Sequence, residues 1–318
     1  MKVCAFGELL IDVTPNGISD KGFPVYEFNP GGAPANVAVA LQNLGQQASF
    51  IGQVGDDHFG HFLAKVLKEK LVDTDALLFS KEYLTTLAIV SLTEDGERSF
   101  SFYRKEGADV MITTCTKFLE KIDEADIFHI GSVSMSDEPS RSTSFDLLDY
   151  AKTQGKIISF DPNLRELLWK DLMDAKMQII KGLYFADIVK VSEEELYFIT
   201  DEHDVEKACE ILVNEYGTKL ILVTFGAQGC AYYHQNKYAK VLPFVVKAID
   251  ATGAGDGFLG GFLAKLMESG KNLDELCDTD LMQYCRFANA CGAHATTMRG
   301  AIGSLATYSK IREMFGDI

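Results

Sequence analysis

Residues 248–265 read AIDATGAGDGFLGGFLAK. Gly253, Ala254 and Gly255 stand where the chain passes into an amphipathic helix, with Asp256 in that helix's first turn. Backbone N–H groups at a helix start lack intrahelical acceptors, so this string predicts an anion hole built from residues 253–255. The helix terminus favours an ionised Asp256 by about 0.3 to 1 kcal/mol, which leaves the carboxylate able to take a proton from a hydroxyl. A base beside an anion hole is an arrangement for phosphoryl transfer. Glycines that merely cap a helix are the simpler alternative, but the full string DATGAGD is too specific for that.

Outward from this segment, short apolar runs at 2–6, 48–54, 126–130, 156–160, 188–191 and 219–224 alternate with helical periods near 34–44, 57–70, 138–152, 171–182 and 204–215. Helices are also expected over 254–269 and 280–297. This rhythm predicts an α/β fold with a mostly parallel sheet covered by helices on both faces. Residues 11–30, rich in Pro and Gly, and residues 84–104, two strands around Asp95-Gly96, interrupt it. They are expected to form a small projecting β lid within a single domain spanning 1–318, and the lid could also pair two subunits.

Composition narrows the classes. Of the 318 residues 47% are hydrophobic and 24% charged, enough for a large core. Acidic residues outnumber basic ones 46 to 30, a net charge of −16, the wrong sign for nucleic acid or an anionic membrane. No apolar run approaches the roughly 18 residues of a membrane helix, and Glu8 and Asp12 interrupt any signal-peptide core, so a soluble cytoplasmic protein is expected. The seven cysteines contain no CxxC pair and read as reduced and mostly buried. There is no GxxxxGK[ST] loop, GxGxxG turn, GxSxG elbow or HExxH helix. P-loop NTPases, dinucleotide enzymes, common hydrolases and zincins are disfavoured.

Further segments fall in a fixed order: GGAPANVAVALQNLG at 31–45, FDPNLR at 160–165, VKVSEEE at 189–195, TFGAQG at 224–229 and GAIGSLAT at 300–307. With DATGAGD they resemble the ribokinase or PfkB family of carbohydrate kinases over essentially the whole chain. The resemblance implies a ribokinase-like fold and transfer of the γ-phosphate of ATP to a sugar hydroxyl. Asp12, Gly31, Gly32 and Asn36 would then clamp the sugar, with Asp256 as base. Physically, Gly31 and Gly32 remove side chains where a substrate must approach, while Asn36 offers a donor and an acceptor. Asn163 and Arg165 follow a strand end, where a guanidinium can meet the transferred phosphate or an anionic substrate.

Ser192 and Glu195 read as a helix capping box. In the family an Asn-x-x-Glu stands there and its Glu organises magnesium-bound phosphates through water, so Ser192 is a departure while Glu195 keeps the implied role. Thr224, Gly226 and Gly229 resemble the nucleotide cradle, and Asn289 an adenosine contact. Asp250 and Thr252, the carbonyls of Ala295, Met298 and Gly300, and Ser304 match a monovalent-cation site, with potassium as the expected activator. Gly303 stands where the family usually has proline. His58 and His61 are one helical turn apart, but a solvated helix face is the better reading than a metal site.

Within the family, FYR at 102–104, GSVSMSDEPSR at 131–141, DPNLR and GAIGSL resemble bacterial and plant fructokinases. That implies D-fructose as substrate and fructose 6-phosphate as product, with Phe100 and Phe102 of the lid covering the sugar. A 2-keto-3-deoxygluconate kinase is the alternative, its substrate carboxylate met by Arg104 or Arg165. A non-catalytic sugar or nucleotide sensor on the same fold would lack the base.

Overall fold

The computed structural model describes residues 1–92 and 98–318, with backbone alone for 91–92 and 98–100. The expected Asp95-Gly96 turn and the Phe100 side chain therefore lie outside the described residues. In chain order the strands are β1 Lys2–Phe6, β2 Leu10–Ile18, β3 Pro24–Gly31, β4 Gln47–Gly55, β5 Leu77–Ser80, β6 Leu87–Leu92, β7 Arg98–Tyr103, β8 Ile127–Gly131, β9 Ile157–Asp161, β10 Ile188–Ser192, β11 Leu220–Thr224, β12 Cys230–His234 and β13 Lys237–Val241. The helices are α1 Ala33–Asn43, α2 His58–Glu69, α3 Thr116–Asp123, α4 Ser140–Thr153, α5 Leu172–Leu183, α6 Glu193–Thr200, α7 Val205–Tyr216, α8 Ala254–Ser269, α9 Asp278–Ala295 and α10 Tyr308–Phe315.

One sheet has the order β13-β12-β11-β10-β9-β8-β1-β4-β5 and is parallel from β11 to β5. At the other edge β12 is antiparallel to both β11 and β13. Alternate side chains of a strand serve opposite cores: Val3 and Ala5 pack with α1, α8 and α9, whereas Cys4 and Phe6 pack with α4 to α7. Burial on both faces explains why these strands read as continuous apolar runs. The β12–β13 hairpin escaped the sequence reading. Its two-residue turn uses Gln235 and Asn236 at φ 48° and 59°, a conformation usually signalled by glycine.

The second sheet, β3-β2-β6-β7, is antiparallel except for the β2–β6 pair. It is built from the two interruptions expected at 11–30 and 84–104. Among the described residues no helix is long and apolar enough to cross a membrane.

One expectation about α8 fails. It is not amphipathic: nearly every residue from Asp256 to Met267 is buried. The helix runs between α1 and α9, so polar positions have no solvent to face. A Cβ on Gly260 would overlap Ala40, and one on Gly261 would meet Cys291 Sγ at 2.8 Å. These later glycines are needed for close helix packing.

Candidate active site

The order of the large sheet reverses at β1, whose neighbours β4 and β8 lead to opposite edges. Side chains beyond the strand ends diverge at such a point and leave a crevice. A cavity of about 540 Å³ opens there, under the small sheet. Glu8 follows β1, Asn163 and Arg165 follow β9, Lys190 belongs to β10, and the first turn of α8 closes the floor. Leu10, Asp12, Ala88, Val90 and Phe102 of the small sheet line the opposite wall.

Asp256 is buried, and its Oδ2 accepts a 2.7 Å hydrogen bond from Asn36 Nδ2. Burial pushes its carboxyl up to about 6, which Asn36 opposes and Asp161 reinforces. The helix-terminus effect expected to keep this acid low is thus outweighed by desolvation. Gly253 caps α8 in the left-handed region at φ 77°, with Ala301 packed where its side chain would begin. The Ala254 N–H is taken by the Ala251 carbonyl at 3.2 Å. The anion hole expected of residues 253–255 therefore loses Ala254, and the groups at this helix end are the N–H of Gly253, Gly255 and Asp256.

Half-buried Asp12 lies across the cavity, pushed up to about 6 by burial, with Arg165 lowering and Asp256 and Asp250 raising it. Gly32 lines the cavity and Gly31 does not, and at both positions neighbouring atoms already occupy the place of a side chain. The space beside Gly31 holds the Asp12 carboxylate, and the space beside Gly32 holds the Glu8 carbonyl. Both glycines let the β1–β2 connection close onto α1. Gly32 offers α1 no side-chain cap, and Glu8 Oε1 accepts the Ala33 N–H at 2.9 Å instead. Buried Glu8 is pushed up to about 7, and its Oε2 and the Asn36 Oδ1 have no hydrogen-bond partner.

Asn163, at φ 46°, and exposed Arg165 line the cavity as expected. Arg104 does not line it. Its guanidinium is buried at the base of the small sheet, 2.7 Å from Asp109 Oδ2 and 2.7 Å from Ser136 Oγ, with the Val133 carbonyl at 3.3 Å. A side chain so committed joins the small sheet to the body rather than facing a substrate.

The residues expected to meet the nucleotide form a separate group along the same strand ends. Ser192 and Thr224 are paired in register across β10 and β11. The capping box is real: Ser192 Oγ accepts the Glu195 N–H at 3.1 Å, and Glu195 Oε2 accepts the Ser192 N–H at 2.8 Å. Glu195 Oε1 takes the Leu164 N–H at 2.7 Å, so both oxygens brace backbone beside the cavity. Gly226 and Gly229 take positive φ in the turn after β11, and Gly229 packs against the Val241 carbonyl. Asn289 gives its amide to the Val241 and Leu242 carbonyls at 3.2 and 3.1 Å. These bonds tie α9 to the chain at the end of β13; neither Asn289 nor the glycine turn lines the cavity.

Asp250 organises the expected cation loop. Its Oδ1 accepts from Thr252 N and Oγ1 at 2.9 and 2.6 Å, and its Oδ2 from Gly300 N at 3.1 Å. The Thr296 carbonyl accepts the N–H groups of Ile249 and Asp250, which draws the turn after Ala295, with Met298 and Gly300, alongside. Buried Ser304 donates to the Ala301 carbonyl at 2.8 Å. His61, by contrast, is exposed, bonds Asp56 at 2.8 Å and stacks on Phe79.

Sequence reasoning missed Glu8, Asn29, Asp161, Lys190 and Arg299 near or in this wall. Lys190 carried a signal, a charged residue inside an apolar strand run.

The model of the pfkB family carbohydrate kinases matches residues 1–307. Fructokinase-1 of Zea mays is 42% identical over 314 residues, 98% of this chain and 97% of that one. The structure of fructokinase with bound ATP from Xylella fastidiosa aligns at a TM-score of 0.89 and 34% identity, covering 98% and 97% of the two chains. Fructokinase from Vibrio cholerae O395 in its fructose, ADP and calcium ion bound form aligns at 0.87 and 35%, covering 98% of each chain. Motifs in order, the sheet reversal and the matched family over nearly the full length agree: this chain belongs to the pfkB family of carbohydrate kinases.

Proposed function

We propose that this protein transfers the γ-phosphoryl group of ATP to O6 of D-fructose, giving fructose 6-phosphate and ADP. The observation that carries the reading is the pair of Asn36 and Asp256 under a wall of acceptors. Asn36 holds one Asp256 oxygen at 2.7 Å, while its own carbonyl oxygen and the Glu8 Oε2 lack partners. With Asp12 opposite, this region needs O–H donors from its ligand, which a neutral polyol supplies. In the reaction the hydroxyl proton passes to Asp256, the O6–phosphorus bond forms, and the bond from phosphorus to the bridging oxygen breaks with its electron pair leaving on ADP. The N–H groups at the start of α8 meet the charge on the phosphoryl oxygens.

The fructokinase relatives and the fructose-bound neighbour support this sugar. A ketodeoxy acid is the weaker reading because Arg104 is spent on Asp109, which leaves Arg165 as the one arginine of the two to meet its carboxylate, and because the full-length relatives are fructokinases. A sensor is weaker still, since Asp256 is present and held in place. Magnesium would travel with ATP and neutralise phosphate charge. Both Glu195 oxygens already accept backbone N–H groups, so this residue fits the ion through water rather than by direct ligation. The loop of Asp250, Thr252, Ala295, Met298, Gly300 and Ser304 offers only oxygen donors, which fits potassium.

One domain carries both sheets in this reading, with the small sheet closing over the sugar. Ile18, Phe23 and Tyr103 are 69%, 66% and 67% exposed around that sheet, and a second subunit would cover them. Light scattering that finds only a monomer removes the dimer. A cytoplasmic location accompanies this metabolic role.

Purified protein assayed on fructose, ribose, adenosine and ketodeoxygluconate should turn over fructose with the highest kcat/KM. Turnover of the keto acid alone would overturn the choice of sugar, and turnover of none would overturn the kinase reading.

A further inference from the structure

Lys190 is the central residue of β10, two residues after Ile188 and so on the same side of the sheet, the side that meets α8. It is buried, and its Nζ lies 2.9 Å from the point where a Cβ on Gly255 would stand. Gly255 is in ordinary helical geometry without a positive φ, so its missing side chain answers to this ammonium and not to backbone strain. An ammonium against a helix start brings two positive ends together, which is unfavourable without an anion. Asp161 Oδ2 supplies one at 3.0 Å. Burial pulls Lys190 down, but Asp161, Glu195 and Asp256 together hold it above the usual lysine value, so it stays charged. The Asp161 Oδ1 has no partner, so the pair is not a closed unit. Lys190 also lines the cavity.

We infer that Lys190 is a catalytic residue of the phosphoryl transfer, its Nζ binding an oxygen of the γ-phosphoryl group as that group passes over Gly255 to the sugar. The inference rests on the kinase reading above. As O6 bonds to phosphorus and the bridging oxygen departs with ADP, charge lies on the three remaining phosphoryl oxygens, and a fixed ammonium there costs no reorganisation. Asp161 holds Lys190 in that position beforehand and is a positioning residue.

The competing account is a structural ion pair, whose rupture would strand Asp161. Lys190→Met alone cannot separate the two, so it is compared with Lys190→Met/Asp161→Asn, which leaves neither partner of the pair stranded as a charge. Expected is a kcat loss of at least about 10²-fold in both, with KM for fructose within about threefold and thermal stability better in the double variant. Methylammonium added to Lys190→Ala should restore part of kcat, and tetramethylammonium, which has no N–H, should not. A double variant that regains wild-type kcat, or a Lys190→Met enzyme slowed less than about threefold, overturns the inference and leaves the kinase reading standing. A wild type inactive on every sugar overturns both. If another sugar is the substrate, the same series is run on it.

Discussion

Asn36 Nδ2 donates to Asp256 Oδ2 over 2.7 Å and joins the first turns of α1 and α8 across 220 residues of chain. Both helix starts belong to glycine-containing motifs, one at each end of the sequence. Their meeting orients the base and leaves the rest of its carboxylate toward the cavity.

Asp256→Asn keeps that hydrogen bond and removes the proton acceptor. It should lower kcat by about 10²-fold or more with substrate affinities nearly unchanged. In the wild type kcat should rise with pH through about 6 and then level, because the base works only when ionised. Steady-state pH profiles check both; wild-type turnover by the variant would remove Asp256 from the reaction.

The same carboxyl predicts a stability effect. Its folded value of about 6 exceeds the ordinary 3.8, so folding favours the protonated form. Its contribution is fully present below about 3.8 and is lost as pH rises through about 6. Asp256→Asn should therefore be more stable than wild type at pH about 8, by on the order of 1–3 kcal/mol. Denaturant melts should show that advantage shrinking toward pH about 4.

Gly255→Ala would put a methyl group against the Lys190 ammonium. The end of a lysine side chain can swing away, so stability should change by less than about 1 kcal/mol. The displaced charge should cost kcat about 10-fold or more, with fructose KM little altered. Unfolding in place of slowing would show that packing, not charge position, governs this glycine.

Arg104→Gln should strand buried Asp109, which also accepts the Thr86 hydroxyl. A loss of about 3–5 kcal/mol of stability is expected. The ratio of fructose to ketodeoxygluconate turnover should stay the same, because the guanidinium does not reach the cavity. A selective loss of one sugar would return Arg104 to substrate recognition.

Potassium chloride should raise activity in sodium-free buffer where choline chloride at equal ionic strength does not. The Asp250–Thr252 loop and the turn after Ala295 stand directly behind Gly253, so a bound ion would steady the helix start. Equal responses to both salts would reduce the effect to screening.

The sequence by itself determined the layered sheet, the two-part small sheet and the helix start that carries Asp256, and its resemblance to a family added Asp12, Asn36, Asn163 and Arg165. Apolar runs and glycine-marked helix starts are local, and their period and order survive without contacts. Tertiary structure alone decided which groups meet. The side-chain positions of Gly31 and Gly32 turn out to be occupied by Asp12 and the Glu8 backbone. A helix that looked amphipathic is buried between two others, and burial reverses the expected direction of its aspartate's pKa. Arg104, two residues from cavity-lining Phe102, turns instead to Asp109. Lys190 was one charge in an apolar strand until α8 packed against it. Desolvation and through-space charge depend on neighbours far apart in the chain, and a linear pattern carries no record of them.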